Sequence, residues 1–198
     1  MAVILAINGS YRAGGVTDQV VEVMTRSLKE FGAEVETVFL RDYPIEFCLN
    51  CRVCTQQPGE APGKCVLQDG MTGLIEKIER SDGYILASPT NVGTATAIFK
   101  RFMERLAVYA YWTWGMKSPQ YRKIKQPKKK AVLVSSCAAP GLIGRLFFNT
   151  VKELKATAKT INAQPVGTIF TGLVASAPRH EISAKVKAKS RVLALKLL

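Results

Sequence analysis

Val3-Ile4-Leu5-Ala6-Ile7-Asn8-Gly9-Ser10-Tyr11-Arg12-Ala13-Gly14-Gly15-Val16-Thr17 passes from an unbroken apolar run, through a glycine-rich turn, into helical spacing. A strand apolar on both sides belongs at the centre of a parallel sheet covered by helices. After Thr17, apolar residues fall at Val20, Val21, Met24 and Leu28, which is one helix face, and Gly32 stands where that helix closes. Val35 to Leu40 alternates and reads as a second strand. Strand, glycine-rich turn, helix and strand in this order open a doubly wound α/β fold.

Outward from this start, residues 41–70 carry Pro44, Pro58, Gly59, Pro62 and Gly63 and read as a long irregular loop, a place where function collects. Met71 to Arg80 reads as a short helix, and Gly83 to Ser88 as a third strand stopped by Pro89. Ala95 to Tyr109 reads as a helix with Ile98, Phe102 and Leu106 on one face. Residues 109–127 form an aromatic and basic insertion, and Ala131-Val132-Leu133-Val134 is the fourth strand. Leu142 to Ile161 reads as one helix, Pro165 to Val174 as the fifth strand, and Glu181 to Leu198 as a basic terminal helix. Right-handed crossovers between five such strands give an open parallel sheet. The expected fold is a flavodoxin-like three-layer α/β sandwich, one domain over residues 1–198, with strand order 2-1-3-4-5. Ligands then sit beyond the carboxyl ends of the strands, at the turns after Ile7, Ser88 and Ser136.

A chain of 198 residues buries a sizeable core without disulfide staples. No apolar run reaches the ~18–20 residues that span a bilayer. The N-terminal stretch has neither the basic start nor the cleavage site of a secretory signal, so no membrane is expected and a cytoplasmic location is. The charge is uneven: 8 Lys/Arg face 12 Asp/Glu in residues 1–99, and 20 face 3 in residues 100–198. Lys117, Arg122, Lys123, Lys125, Lys128, Lys129 and Lys130 form the densest stretch, with no acid among them. Such a field attracts polyanions, or is a solvated face. No nucleic-acid-binding motif accompanies it, so nucleic acid is not the expected partner.

The turn after the first strand has the composition of a phosphate cradle. A helix N-terminus offers free N–H groups and the positive end of a dipole. Gly14 and Gly15 let the backbone approach, Ser10 and Thr17 carry hydroxyls, and Arg12 carries a fork for a phosphate. The dinucleotide pattern G-x-G-x-x-G is absent, since Tyr11 stands two after Gly9. A glycine-rich turn without a ligand has the same composition. A second turn, Ser88-Pro89-Thr90-Asn91-Val92-Gly93-Thr94-Ala95, precedes a helix containing Lys100-Arg101-Phe102-Met103-Glu104-Arg105.

Together the two turns resemble the NAD(P)H-dependent FMN reductases and the related iron–sulfur flavoproteins of the flavodoxin-like superfamily, over most of residues 1–108. The resemblance implies that Ser10, Arg12, Gly15, Val16 and Thr17 bind the FMN phosphate. It implies that Pro89, Thr90, Asn91, Val92 and Gly93 lie along the isoalloxazine edge, with a third contact loop at Ser136, Cys137 and Gly141. It also implies a nicotinamide nucleotide as co-substrate and a homodimer or homotetramer with flavin near the interface.

Four of the five cysteines fall close together, as Cys48-x2-Cys51-x2-Cys54 and then Cys65. Clustered cysteines in a cytoplasmic chain point to metal or redox work. Three thiolates on one knuckle plus a fourth can wrap a [4Fe–4S] cluster. Zinc accepts four thiolates, although paired C-x2-C knuckles are its commoner pattern. Free or redox-active thiols are the third possibility, and the residues leave all three open. The segment Cys65-Val66-Leu67-Gln68-Asp69-Gly70-Met71 resembles the iron–sulfur flavoproteins, with two departures: an insertion around Pro58 to Gly63, and Gly70 where the family carries a second Asp. Cys137 reads as a buried apolar residue, and His180, beside Arg179, as a solvated loop residue. Tyr109, Tyr111, Trp112, Trp114 and Tyr121 read equally as a cover for flavin or a partner, and as packing over the sheet edge.

The functional expectation is an FMN-dependent oxidoreductase in which the cofactor carries the chemistry and no side chain is a required acid, base or nucleophile. The alternatives are an iron–sulfur electron carrier serving a ferredoxin-like partner, and a basic binding module on the same fold.

Overall fold

The computed structural model describes residues 1–175, 177 and 179–198. Five parallel strands make its sheet: β1 (Val3–Asn8), β2 (Glu34–Phe39), β3 (Gly83–Ala87), β4 (Lys129–Ser136) and β5 (Ala163–Thr171), in the order β2-β1-β3-β4-β5. This is the flavodoxin-like order 2-1-3-4-5. The helices are α1 (Val16–Glu30), α2 (Gly70–Arg80), α3 (Ala97–Arg105), α4 (Gly141–Phe147), α5 (Thr150–Thr160) and α6 (Ala184–Leu195).

Successive strand side chains point to opposite faces, and the core divides accordingly. Leu5, Ile7, Tyr84, Leu86, Ala131 and Leu133 meet α2, α3 and α5 on one face. Ile4, Ala6, Ile85, Ala87, Val132 and Val134 meet α1 and α6 on the other. That alternation is why the central strands read as continuous apolar runs.

The structure redraws three elements. The helix expected over Ala95 to Tyr109 is α-helical only from Ala97 to Arg105 and ends in a 3-10 turn, Leu106–Tyr109. Thr90–Asn91 and Thr94–Ala95 pair as a small antiparallel hairpin before it. The helix expected from Leu142 to Ile161 is two helices, because Phe148 is extended and the Asn149 N–H leaves the ladder to bond Gly93 O at 2.8 Å. The insertion is not wholly irregular either: Ala110–Tyr111 pairs with Gln120–Tyr121. Among the described residues, no helix is long and apolar enough to cross a membrane.

Candidate functional site

β1, β3 and β4 end beside one another, and a cleft of about 720 Å³ opens beyond them. Asn8, fully buried, ends β1 and organises the turn that follows. Its Nδ2 donates to Asp18 Oδ1 at 2.7 Å, and its Oδ1 accepts from the Ser10 N–H at 2.9 Å. Asp18 Oδ2 also accepts from the Gly14 N–H at 3.0 Å. Arg41 reaches in from beyond β2, 3.0 Å from both Asp18 Oδ2 and Ser10 O. Gly14 takes φ +69, a left-handed conformation that glycine adopts at no steric cost. Gly9 has no room for a side chain: a Cβ there would stand 2.8 Å from Phe99 Cβ.

The turn delivers the chain to α1, whose first residues Val16 and Thr17 line the cleft. Gly15 is the N-cap, and no side chain caps the helix. A fifteen-residue helix with an uncapped start carries its positive dipole end there. Ser10, Arg12, Gly15, Val16 and Thr17 all line the cleft, as do Pro89, Asn91 and Ser136. Thr17 Oγ1 and Ser136 Oγ lie 2.9 Å apart, joining the first loop to the third.

The remaining expected residues are not among those that line the cleft. Thr90 turns inward, its Oγ1 2.8 Å from Thr150 Oγ1. Val92 and Gly93 form the tip of the hairpin at φ +50 and +77, with Val92 fully exposed. Cys137 is buried, donates from Sγ to Ala139 O at 3.2 Å, and has its thiol pushed up by burial. Gly141 packs against Gly172 so closely that a Cβ on Gly172 would fall 2.2 Å from Gly141 N. Val174, Arg179, His180 and Glu181 complete the cleft wall. His180 is half-buried rather than solvated, and its carbonyl accepts from Gln19 Nε2 at 2.9 Å.

The cysteine loop leaves β2 and is shaped by three arginines. Arg105, on α3, is buried and grips Asp69 through both carboxylate oxygens, at 2.6 and 3.0 Å. It also donates to Glu46 O at 2.8 Å and to Cys65 Sγ at 3.5 Å. Burial alone would raise the Asp69 carboxyl. Hydrogen bonds from Arg105 and from the Glu46 and Met71 N–H groups outweigh that and hold it below the ordinary value. Arg122, also buried, donates to Cys54 O, Gly59 O and Val108 O. Arg52, at φ +60, lies 3.9 Å from the centre of the Trp112 ring and 4.3 Å from that of Trp114. The aromatic insertion therefore clamps the cysteine loop, with the Trp112 N–H bonded to Thr55 O at 2.9 Å.

Cys48, Cys54 and Cys65 are half-buried and Cys51 is exposed. Burial, then the neighbouring Cys65, Cys48 and Cys51 in that order, push the Cys54 thiol up. Among the described residues, no group of three or more His, Cys, Asp or Glu is drawn together to hold a metal ion. The Nε atoms of Arg105 and Arg52 are buried without a hydrogen-bond partner.

A family model described as NADPH-dependent FMN reductase matches residues 2–171. The chain belongs to the NADPH-dependent FMN reductase family. An iron-sulfur flavoprotein of Archaeoglobus fulgidus is 34% identical over 107 residues, covering 54% of this chain and 46% of that protein. The iron-sulfur flavoprotein MJ1083 of Methanocaldococcus jannaschii is 31% identical over 102 residues, covering 52% of this chain and 50% of that protein. The chain spans about half the length of the curated relatives it matches. A flavodoxin from the domain Archaea superposes with a TM-score of 0.55 at 10% identity, covering 100% of this chain and 96% of that one, which shows the shared fold.

Within this FMN reductase family member, one departure in the cysteine loop has a steric reason. A Cβ at Gly70 would meet Pro44 O at 2.7 Å and the Tyr43 ring at 3.0 Å, so a second Asp has no room. The Pro58 to Gly63 insertion packs back on the knuckle, where a Gly63 Cβ would fall 1.8 Å from Cys54 O, so glycine alone fits there. Asn8, Asp18, Arg41 and Gln19 support or line the cleft without having been singled out from sequence. The acid in the first turn of α1, Asp18, is the one signal that pointed to them.

Proposed function

We propose that the cleft holds FMN and that the chain is an FMN-dependent oxidoreductase. It takes electrons from NAD(P)H or a reduced carrier and passes them to an acceptor such as a flavin, a quinone, a metal or an iron–sulfur centre. The observation that carries this reading is the uncapped start of α1, surrounded by Ser10, Arg12 and Thr17. Such a site suits a phosphate, and a cleft of this volume is within the ~300–1,000 Å³ usual for cofactor pockets. Membership of the FMN reductase family supports FMN as the ligand and a nicotinamide nucleotide as the donor.

FMN, when bound, supplies hydride acceptance and one-electron release, chemistry for which the protein provides position and electrostatics. The N–H groups at the start of α1 and the Arg12 guanidinium hold the phosphate. Ser10 and Thr17 offer hydroxyls to it, and Pro89, Asn91 and Ser136 wall the opposite side. Titration of flavin-free protein with FMN, followed by flavin fluorescence, is expected to saturate at one FMN per chain. A chain that takes up no FMN overturns the reading. Oxidation of NADPH and of NADH with menadione or ferricyanide as acceptor then identifies the donor.

A second reading rests on the thiols: an iron–sulfur flavoprotein that carries electrons for a ferredoxin-like partner without substrate turnover of its own. Cys48, Cys51, Cys54 and Cys65 would hold a [4Fe–4S] cluster, and the donor set suits one. The buried guanidinium of Arg105 beside Cys65 offsets the negative charge of such a group. Metal binding is coupled to the folding of its site, so the knuckle would have to draw its sulfurs together to hold the cluster. Relatives named iron-sulfur flavoprotein support this reading. Iron and zinc assays on anaerobically purified protein test it: about four irons per chain support the cluster, and zinc or no metal overturns it.

A further inference from the structure

A second cavity, of about 750 Å³, opens between the cysteine loop and α2, and it shares no lining residue with the cleft. Its size is within the ~300–1,000 Å³ of small-molecule sites. Met71 and Ile75, one turn apart on α2, give it an apolar wall together with Val108 and Pro62. Met71 and Val108 are buried, Ile75 and Pro62 half-buried. Lys64, Gln68 and Thr72 stand exposed at the rim. Of the four thiols in the loop, the half-buried Cys65 lines this cavity, and Cys48, Cys51 and Cys54 do not.

Behind Cys65 stands Arg105, which is 2% exposed and takes no part in the cavity wall. A guanidinium is planar, and its five N–H donors have fixed directions. Four of them are used: Nη1 and Nη2 grip Asp69 end-on, Nη1 also meets Glu46 O, and Nη2 also meets Cys65 Sγ at 3.5 Å. The end-on grip takes the two hydrogens that face away from Nε. The remaining Nη2 hydrogen therefore runs alongside the Nε–H, on the edge that faces Cys65. That Nε–H is buried and has no hydrogen-bond partner. The edge presents two parallel donors around one sulfur and satisfies only one, and a buried donor left unmade is costly.

We propose that Cys65 is a modification site, at which an organic hydroperoxide held in this cavity oxidises the thiol to a sulfenic acid whose oxygen accepts the unmade Arg105 Nε–H. The sulfur attacks the outer peroxide oxygen, and the O–O bond breaks as the S–O bond forms. That oxygen keeps its own hydrogen. The alkoxide that leaves takes the thiol proton and departs as the alcohol. Sulfur is oxidised by two electrons and the peroxide is reduced by two. The thiols most open to this chemistry are reachable from solvent and stand beside a positive charge, and Cys65 meets both conditions. The apolar wall selects the class of oxidant, since a hydrocarbon group buries itself there and hydrogen peroxide has none to bury. A charged donor makes the stronger kind of hydrogen bond to the new oxygen. The modification does not rest on the FMN reading, and it requires that Cys65 carry no metal.

The test exposes the protein to cumene hydroperoxide or to hydrogen peroxide, traps sulfenic acid with dimedone and maps the adducts by mass spectrometry. Cys65 is expected to be labelled. Its preference for cumene hydroperoxide over hydrogen peroxide is expected to exceed that of exposed Cys51 about tenfold, the scale of burying about two methylene groups. Ile75→Trp, which fills the cavity, is expected to abolish that preference and to leave Cys51 unchanged. Thr72→Phe, at the exposed rim, serves the same purpose where Ile75→Trp fails to fold. Arg105→Lys keeps a charge for Asp69 but has no second parallel donor. It is expected to shorten the life of the Cys65 sulfenic acid, read by delayed addition of dimedone, about tenfold, the scale of one hydrogen bond from a charged group. No adduct at Cys65 overturns the proposal, as does an equal peroxide preference at Cys65 and Cys51, or a preference that survives the cavity substitutions. An unchanged lifetime in Arg105→Lys overturns the role of Arg105. Iron or zinc that shields Cys65 from the hydroperoxide overturns the modification in favour of a metal site. FMN uptake is scored separately and bears on the FMN reading alone.

Discussion

The turn after β1 and the loop after β2 leave the carboxyl ends of neighbouring strands, yet they are held in opposite ways. The first is held mainly by its own neighbours: Asn8 to Asp18 spans ten residues, Gly14 to Asp18 four, and Ser10 to Asn8 two. Its distant braces include one cation, Arg41 on Ser10 O, and two neutral hydroxyls, Thr96 on Gly9 O and Ser136 beside Thr17. The cysteine loop is held from afar. Arg105 reaches Asp69 across 36 residues and Cys65 across 40, Arg122 reaches Cys54 across 68, and Arg52 reaches Trp112 across 60. A locally braced turn is preorganised for its anion before anything binds. A loop pinned by distant cations keeps its shape only while those cations keep their partners, and its thiols take their positions from them.

The contrast breaks most visibly at Arg105. Both members of its pair with Asp69 are buried, and removing one partner of such a pair costs about 3–5 kcal/mol. Arg105→Met is expected to lower the stability measured by urea unfolding by that order and to speed the reaction of Cys65 with a thiol reagent. Unchanged thiol reactivity would show that the loop braces itself after all. Acid probes the same pair. Because the folded Asp69 carboxyl lies below its unfolded value near ~3.9, its contribution is present above that pH and is lost as pH falls through the folded value. Glu36, held down by Lys77 and Arg80 against burial that would raise it, adds to the same loss. Stability of Asp69→Asn is therefore expected to fall less steeply on acidification than that of the wild type.

Arg12 tests the other side of the comparison. Arg12→Ala is expected to weaken FMN binding by about 1–3 kcal/mol, the scale of a charge-assisted hydrogen bond, with stability nearly unchanged. The turn is braced through Asn8 and Asp18. A large loss of stability would mean that Arg12 builds the turn rather than serving the ligand.

The same difference in reach decided what could be read from sequence. The apolar run of β1, the glycine-rich turn and the spacing of α1 are local patterns, and so is the alternation of five strands with helices from which the sheet order followed. Several parts of the cleft that escaped come from a distance: Arg41, Val174 and the Arg179–Glu181 segment arrive from beyond β2 and β5, whereas Asn8, Asp18 and Gln19 escaped although they lie on β1 and α1. The expected single helix over Leu142 to Ile161 failed for a related reason. Its periodicity is continuous, but a hydrogen bond to Gly93 and the burial of Thr150 against Thr90 break it between Phe147 and Thr150. The aromatic insertion showed its composition in the sequence but not its target, since nothing local ties Trp112 and Trp114 to Arg52.

That clamp gives the smallest expected effect and the finest test of the comparison. Arg52 is sandwiched against two indole rings and donates to Trp112 O at 2.7 Å, while its backbone sits in the left-handed region between Cys51 and Cys54. Cation–π contacts at sites open to water are worth about 0.5–1 kcal/mol. Arg52→Ala is therefore expected to cost the whole fold about 1 kcal/mol, on that scale. Its effect on the loop is expected to be disproportionate, because the Arg52 side chain joins the knuckle to the insertion. Thiol-reagent kinetics should show Cys51 and Cys54 reacting faster while Cys65, held through Arg105, keeps its wild-type rate. Equal acceleration at all of them would make the loop one cooperative unit rather than a segment pinned separately at each arginine.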